Sequence, residues 1–164
     1  MSARILVADD DPDLRQLVRL MLQREGYDVI EAVDGEQALA RAADSDPSLI
    51  LLDILMPGGM DGFDACRRLK SDGRTRTVPV IFITALNDLR NHEEGLKLGA
   101  DAYLVKPIDP SDLSRRVRSA IQRRAIRLLF DSARDKTGDR GESRRVDDAF
   151  DSPRWSVQTG HLAD

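Results

Sequence analysis

Five short apolar runs alternate along the chain with segments in which apolar residues recur at helical spacing. The central run, Leu49–Leu52, consists of branched aliphatic residues and leads directly into Asp53. A run this short and this apolar predicts a strand buried on both faces, which Pro57 and the glycine pair Gly58-Gly59 would end. The other predicted strands span residues 4–8, 28–32, 78–83 and 102–105.

The first predicted helix shows the helical spacing most clearly. Asp11 suits its N-cap, Pro12 its first position, and Gly26 a left-handed cap after its end. Its apolar positions recur at i, i+3, i+4, i+7 and i+8 and form one face: Leu14, Leu17, Val18, Met21 and Leu22. The second helix is predicted to begin with a capping box made by Asp34 and Gln37.

The same spacing predicts three further helices. One follows the glycine pair and ends near residues 71–73. The next spans residues 87–98 and contains Gly95; because interior glycine costs roughly 1 kcal/mol relative to alanine, we expect it to be the least stable helix. The last begins at Asp109-Pro110 and has an apolar inner face: Leu113, Val117, Ala120, Ile121 and Leu128.

Regular alternation of strands and helices predicts an α/β fold. Strands joined through helices form a parallel sheet with helices on both faces. We expect a flavodoxin-like, doubly wound sheet of five parallel strands in the order 2-1-3-4-5, with five helices. In such sheets the ligand site lies beyond the carboxyl ends of the strands, where the strand order reverses.

The apolar period fails past about residue 133, and charges of both signs follow. Such a segment buries too little apolar surface to offset the entropy of ordering it. We therefore divide the chain into a domain over residues 1–124, an extension of the last helix over residues 125–134, and a charged tail over residues 135–164. We expect that tail to be disordered or loosely docked and to contain no effector domain. Within the extension, Ala125, Leu128 and Leu129 offer an apolar contact for a homodimer.

Composition narrows the classes of partner and location. The 164 residues carry a formal net charge of −4 and 4% aromatic residues, which argues against attraction to nucleic acid or anionic membranes. No apolar stretch approaches the ~20 residues of a membrane span. Cys66 is the only cysteine, so no internal disulfide can form. We expect a cytoplasmic protein.

Polar side chains stand at the carboxyl ends of four predicted strands, and the second strand adds none. They are Asp9 and Asp10 after the first strand, Asp53 after the third, Thr84 after the fourth and Lys106 after the fifth. At an effective dielectric near 20, two like charges ~4 Å apart repel by about 4 kcal/mol, so clustered carboxylates need a cation or a raised pKa. Oxygen ligands suit Mg²⁺. Metal, lysine and hydroxyl together equip a site for phosphoryl transfer, with Asp53 placed as nucleophile.

Around these residues the sequence resembles the receiver domain of two-component response regulators. The resemblance covers roughly residues 3–124 and rests on five stretches in the family's order and spacing: residues 5–11 (ILVADDD), 51–57 (LLDILMP), 60–63 (MDGF), 83–85 (ITA) and 99–107 (GADAYLVKP). The chain departs from the family twice. Gly58 and Gly59 stand where the family usually has one residue, which puts the geometry of that loop in question, and Ile108 replaces a common aromatic residue.

The resemblance implies how the carboxylates act. Asp53 would accept a phosphoryl group from the phosphohistidine of a histidine kinase. Asp10, with Asp9 partly through water, would hold Mg²⁺ together with Asp53 and the backbone carbonyl of Leu55. That carbonyl precedes the extra glycine, so we expect the metal ligand to be retained.

The resemblance also implies a conformational switch. Lys106 would contact the phosphoryl oxygens, and Thr84 would hydrogen-bond the phosphoryl group. Tyr103 would turn inward as Thr84 moves. The Lys106-Pro107 peptide bond is expected to be cis, as it is in the family.

These roles describe a phosphorylation-dependent signalling switch, which catalyses its own phosphorylation and dephosphorylation but is not a dedicated enzyme. The expected partners are a histidine kinase or phosphotransfer protein and a downstream effector protein. The alternative is a pseudo-receiver, an interaction module that is never phosphorylated. An aspartate phosphatase of the haloacid type would need a second aspartate where Leu55 stands.

Each candidate residue also has an ordinary structural explanation. Asp9 and Asp10 would favour the positive end of the first helix without any ligand. Thr84 alone would be a turn cap, and Lys106 alone a solvated charge. Their predicted convergence favours the site. His92, in contrast, lies on a polar helix face and is predicted to be solvated, with no partner for catalysis or metal binding.

Overall fold

The computed structural model describes residues 2–137, in which strands and helices alternate from end to end. The strands are short, with four or five residues each. In chain order the elements are β1 (Arg4–Ala8), α1 (Pro12–Arg24), β2 (Asp28–Ala32), α2 (Gly35–Ser45), β3 (Leu49–Leu52), α3 (Gly62–Ser71), β4 (Val80–Thr84), α4 (Leu89–Lys97), β5 (Ala102–Val105) and α5 (Pro110–Thr137).

The five strands form one parallel sheet in the order β2-β1-β3-β4-β5, which confirms the predicted fold. Ala8 at the end of β1 pairs with Leu52 at the end of β3, and Leu52 pairs in turn with Phe82 of β4. Thr84 at the end of β4 pairs with Val105 at the end of β5. The carboxyl ends of these four strands therefore meet along one edge of the sheet.

Two apolar cores fill the two faces of the sheet, because successive strand residues point to opposite sides. One core includes Leu6, Ile50 and Phe82 and is covered by α2 and α3. The other includes Ile5 and Leu51 and is covered by α1 and α5. β3 and β4 are buried along their whole length, as the continuous apolar runs predict.

The N-terminal end of α1 follows the prediction closely. A carboxylate oxygen of Asp11 accepts hydrogen bonds from the backbone N–H groups of Asp13, at 2.9 Å, and Leu14, at 3.4 Å. Pro12 occupies the first helical position. After the helix, Gly26 has a φ of +88°, the left-handed conformation that glycine adopts at little cost.

The predicted capping box of α2 forms with one difference. Asp34 Oδ1 accepts from the backbone N–H of Gln37 at 2.8 Å. The Gln37 side chain, however, accepts from the N–H of Val33 at 3.1 Å, one residue before the cap. Two backbone donors at the helix start are thus satisfied, although the return bond is displaced from the usual capping-box position.

Some element boundaries differ from those predicted. β4 begins at Val80, two residues later than the apolar run suggested. α4 begins at Leu89 rather than residue 87, because Asp88 caps it and accepts from the N–H of Asn91 at 2.9 Å. The Lys106-Pro107 peptide bond is cis, as expected.

α5 is the longest element and continues through Thr137. The boundary predicted at residue 134 therefore falls inside this helix. The remainder of the predicted tail, residues 138–164, lies outside the described residues. Within the part of the chain that the structure describes, no helix is both long and apolar enough to cross a membrane.

Candidate functional site

The register of the sheet gathers the predicted polar residues at its carboxyl edge. Backbone hydrogen bonds extend the sheet by one residue beyond two strands. The N–H of Asp53 donates to the carbonyl of Ala8, and the N–H of Lys106 donates to the carbonyl of Thr84, each at 2.9 Å. The side chains of Asp53 and Lys106 thus start from fixed backbone positions on either side of β4.

Lys106 joins the two buried carboxylates of the edge. Its Nζ lies 2.9 Å from Asp9 Oδ2 and 3.0 Å from Asp53 Oδ2. The side chains of Asp9 and Asp53 are only 4% and 6% exposed, so both ion pairs are largely shielded from water. Charge-assisted hydrogen bonds in such surroundings are stronger than those at an open surface.

The second oxygen of each buried carboxylate accepts from the backbone. Asp9 Oδ1 accepts from the N–H of Asp11 at 2.9 Å. Asp53 Oδ1 accepts from the N–H of Leu55 at 3.2 Å. Both carboxylates are therefore held at two points, and the residue predicted to supply a metal-binding carbonyl, Leu55, is linked directly to the predicted phosphoacceptor.

The acid–base properties of the edge follow from burial and from the ion pairs. Burial raises the pKa of Asp9 despite the opposing hydrogen bonds from Asp11 and Lys106, and the neighbouring Asp53 charge adds to the rise. Burial by itself would lower the pKa of Lys106, but its hydrogen bonds to the two carboxylates outweigh burial and raise that pKa. Lys106 is therefore a permanent positive charge in this site.

The donor set at the edge fits Mg²⁺. Carboxylate oxygens of Asp9, Asp10 and Asp53 lie within 4.8 Å of one another. Asp10 is exposed, whereas the other two are buried, so the cluster opens to solvent on the side of Asp10. Hard oxygen ligands with room for water on one side are typical of magnesium sites.

Thr84 and Tyr103 lie beside this cluster on neighbouring strands. Thr84 is fully buried, and its Oγ1 accepts from the N–H of Leu86 at 3.4 Å. The Tyr103 hydroxyl donates to the carbonyl of Leu86 at 2.8 Å. Both side chains thus contact the same residue in the loop after β4. The Tyr103 ring is already turned inward and is 5% exposed.

His92 is half-buried and packs on Tyr103, so the prediction that it is solvated on a polar helix face is wrong. Its ring centroid lies 3.9 Å from that of Tyr103, with the ring planes tilted by 34°. Partial burial lowers the pKa of His92. Burial also raises the pKa of Tyr103 to about 12, with a contribution from nearby Asp88, so the hydroxyl stays protonated and remains a donor.

The loop after β3 absorbs the extra glycine at its exposed tip. Met56 and Met60 are buried on either side of the glycine pair. Gly58 has a φ of +95° and has open space around it. Gly62, in contrast, packs directly on the backbone of Asp53, where a Cβ atom would overlap the Asp53 carbonyl. The insertion therefore leaves the close packing of Gly62 on the end of the Asp53 strand intact.

Sequence reasoning missed two residues that link the site to the edge strand. Arg15 of α1 donates to the carbonyl of Asp9 at 2.7 Å and pairs with Glu31 of β2 at 3.2 Å. Neither residue follows the carboxyl end of a strand, so the rule that located the other groups does not point to them. The link that they form, from Glu31 through Arg15 to Asp9, follows only from side-chain packing.

Comparison with known proteins places the chain in a family. Residues 5–118 match the response regulator receiver domain. The chain is 44% identical over 120 residues to the DNA-binding dual master transcriptional regulator RpaA of Synechocystis sp., a match that covers 73% of this chain and 49% of RpaA. The response regulator PleD of Caulobacter vibrioides is 47% identical over 136 residues, 83% of this chain and 29% of PleD. The chain thus spans about half the length of these curated relatives, or less.

Solved structures agree with the sequence match. The chemotaxis protein CheY4 of Vibrio cholerae has a TM-score of 0.69 at 32% identity, covering 73% of this chain and 99% of that one. A CheY-like receiver domain protein from Methanospirillum hungatei has a TM-score of 0.72 at 28% identity, covering 77% and 99%. RpaA is named as DNA-binding, a property that the net charge and aromatic content of this chain did not predict.

Proposed function

Because this chain belongs to the family of response regulator receiver domains, we propose that it is a phosphorylation-controlled signalling switch whose phosphoacceptor is Asp53. The observation that carries the proposal is the position of Lys106, whose Nζ lies within 3.0 Å of both Asp53 and Asp9. A permanent cation beside a buried carboxylate, with further oxygen ligands adjacent, is the arrangement that phosphoryl transfer requires.

The proposed reaction transfers a phosphoryl group from a phosphohistidine to Asp53. A carboxylate oxygen of Asp53 attacks phosphorus, the phosphorus–nitrogen bond breaks, and the imidazole leaves and takes up a proton. Lys106 exchanges a carboxylate contact for one with a phosphoryl oxygen and so offsets the charge that arrives. Asp9, Asp10, Asp53 and the Leu55 carbonyl would hold Mg²⁺, which when bound neutralises further negative charge at this position.

The switch would pass through Thr84 and Tyr103. We propose that the Thr84 hydroxyl leaves the Leu86 amide to hydrogen-bond the phosphoryl group. Since Tyr103 holds the carbonyl of the same Leu86, a shift of that residue would reach the Tyr103 ring and, through it, His92 on α4. The surface formed by α4 and β5 would then differ between the two states, which is what a partner needs to distinguish them.

The proposed partners are proteins: a histidine kinase or phosphotransfer protein as donor, and a downstream effector as receiver of the signal. The chain would catalyse only its own phosphorylation and dephosphorylation and would not be a dedicated enzyme. The alternative, a pseudo-receiver that is never phosphorylated, shares the fold and differs in chemistry. A labelling experiment therefore separates the two.

The test uses acetyl phosphate and Mg²⁺ with intact-mass detection. The wild type and Asp44→Asn, which changes an exposed aspartate of α2 remote from the site, should each gain one phosphoryl group. Asp53→Asn should gain none, because the acceptor oxygen is lost. Equal labelling of Asp53→Asn and the wild type would overturn the assignment of Asp53, and absence of labelling in all three proteins would favour the pseudo-receiver.

We also propose a homodimer through the overhang of α5, by which we mean the part of this helix after residue 124. The contact surface differs from the one predicted from the sequence. Ile126, Leu129 and Phe130 are 55%, 71% and 69% exposed. Their i, i+3 and i+4 spacing puts them on one face of the helix. Leu128 was predicted both on the inner face of the helix and in the dimer contact; it is 41% exposed, so the inner-face prediction is wrong. Its spacing from Val117 places it on the opposite side of the helix from Ile126, so the proposed contact is the exposed trio.

A further inference from the structure

The edge strand β2 reaches the acidic site through two side chains. Glu31, in the second half of β2, accepts at Oε1 from Arg15 Nε at 3.2 Å. Arg15 Nη1 donates to the carbonyl oxygen of Asp9 at 2.7 Å. The Arg15 side chain is 14% exposed, so this bridge is mostly shielded from water. The planar guanidinium is suited to the task because its donors point in fixed directions toward two acceptors at once.

The carbonyl oxygen of Asp9, which accepts from Arg15, belongs to the peptide bond between Asp9 and Asp10. The carbonyl of Asp9 and the N–H of Asp10 are parts of one planar unit, so a donor that holds the oxygen also fixes the direction in which Asp10 leaves the strand. Asp9 has other anchors, since its N–H donates to Ala32 at 3.1 Å and its carboxylate is held by Lys106. Asp10 is exposed. Arg15 holds the peptide plane between Asp9 and Asp10 through its hydrogen bond to the Asp9 carbonyl oxygen.

We propose that Arg15 is a positioning residue of the metal site. Clamped by Glu31, it fixes the Asp9–Asp10 peptide and thereby keeps the Asp10 carboxylate within reach of an ion that Asp9 and Asp53 also bind. This inference rests on the proposed function and adds to it a residue outside the acidic cluster and a contribution from the edge strand. It assigns Arg15 no contact with the ion itself.

Arg19 provides a matched control. It lies one helical turn beyond Arg15 on α1 and donates from Nη1 to the other oxygen of Glu31 at 3.1 Å. Its side chain is 47% exposed, and the turn of helix between them places it farther from the carboxyl edge. Arg15→Met and Arg19→Met therefore each remove one guanidinium and one ion pair with Glu31, but only Arg15→Met removes the donor to Asp9.

The test measures Mg²⁺ binding without phosphorylation. The Tm of the full chain rises with Mg²⁺ concentration if the ion binds the folded state, and the dependence yields the half-saturating concentration. Loss of a residue that orients a metal ligand should raise that concentration about tenfold in Arg15→Met. Because an exposed ion pair contributes little, the Arg19→Met value should stay within about twofold of the wild type.

Two further variants separate positioning from general loss of structure. Arg15→Lys retains one donor that can reach the Asp9 carbonyl and should recover part of the affinity. Glu31→Gln leaves Arg15 in place but weakens its clamp, so it should raise the half-saturating concentration less than Arg15→Met does. Should Arg15→Met fail to fold, these two variants carry the test, and an unchanged value in both would overturn the inference.

The outcomes also separate this inference from the proposed function. Equal half-saturating concentrations in the wild type, Arg15→Met and Arg19→Met would overturn the role of Arg15 and leave the metal site standing. An equal rise of the half-saturating concentration in Arg15→Met and Arg19→Met would also overturn the role of Arg15 and leave the metal site standing. The two variants share only the loss of an ion pair with Glu31, so the contact with Asp9 would not be the cause. A wild-type Tm that does not respond to Mg²⁺ would overturn both.

Discussion

Lys106 is the residue on which the charge balance of the site depends. Three carboxylates converge at the carboxyl edge, and two of them are buried. Lys106 contacts both buried groups, and its raised pKa keeps it protonated. Burial raises the pKa of Asp9, and the hydrogen bond from Lys106 opposes that rise. The lysine thus favours the charged form of Asp9 before any metal or phosphoryl group binds.

Gly62 shows that the backbone around Asp53 tolerates no added atoms. A Cβ at this position would overlap the backbone of Asp53 and Ile54. We predict that Gly62→Ala lowers the free energy of unfolding by about 3 kcal/mol, because the clash is with main-chain atoms that cannot move without disturbing the sheet. Denaturant unfolding measures the difference.

Gly59→Ala is the control for that prediction. Gly59 belongs to the exposed tip of the same loop and has open space around it. Its replacement should change stability by no more than about 0.5 kcal/mol. A similar loss in both variants would show that the loop as a whole, rather than close packing at Gly62, sets the cost.

Among the helices, α4 has a direct contact with Tyr103, one of the two proposed switch residues, through His92. Sequence reasoning attributed weakness to α4 because of Gly95, which lowers helix propensity. In the structure Gly95 is buried against the sheet, where a Cβ would lie 3.2 Å from Phe82 and 3.4 Å from Tyr103. The glycine therefore allows close packing of the helix on two aromatic rings, and its effect on propensity is only part of its role.

A double-mutant cycle tests this packing role of Gly95. In the wild-type background, Gly95→Ala should destabilise by about 1 kcal/mol, because crowding against Phe82 exceeds the gain in helix propensity. In a Phe82→Leu background the ring atoms nearest the new methyl group are gone, so the same substitution should be neutral or stabilising. Thermal unfolding of the four proteins gives the coupling. An identical effect in both backgrounds would contradict close packing as the reason for the glycine.

At the scale of the whole molecule, the overhang of α5 carries exposed apolar residues that do not pack on the sheet. The sheet ends at β5, and the exposed face formed by Ile126, Leu129 and Phe130 points away from the buried face of the same helix. Exposed apolar groups in a row often mark an interface, and a two-fold dimer is the commonest use. The overhang is joined rigidly to the domain through α5, so a dimer formed there would connect two switch surfaces.

Sedimentation velocity tests the dimer. At tens of micromolar, the wild type should sediment as a dimer, and Leu129→Glu/Phe130→Glu as a monomer, because two buried charges per chain would destabilise the contact. Leu17→Glu/Leu20→Glu, which alters two half-exposed leucines of α1, should leave the dimer intact. Mg²⁺ and beryllofluoride, which mimics the phosphoryl group, shift the monomer–dimer equilibrium only if the dimer binds the two proposed switch states differently. Monomers in every sample would exclude the overhang as a dimer contact.

The sequence by itself determined the fold and the convergence of the candidate residues at one edge of the sheet. Continuous apolar runs are buried on both faces and therefore specify central parallel strands, and parallel strands always bring their carboxyl ends to one edge. For this reason the meeting of Lys106 with Asp9, 97 residues apart, was predictable from topology.

Only the tertiary structure decided which side chains support that site. Arg15 and Glu31 are 16 residues apart and meet across a helix and an edge strand, a contact that depends on side-chain direction rather than strand order. The same holds for the His92 ring on Tyr103. Periodicity assigns residues to a face of an element, but which groups on neighbouring faces touch depends on how the elements pack, and that is set by the whole core at once.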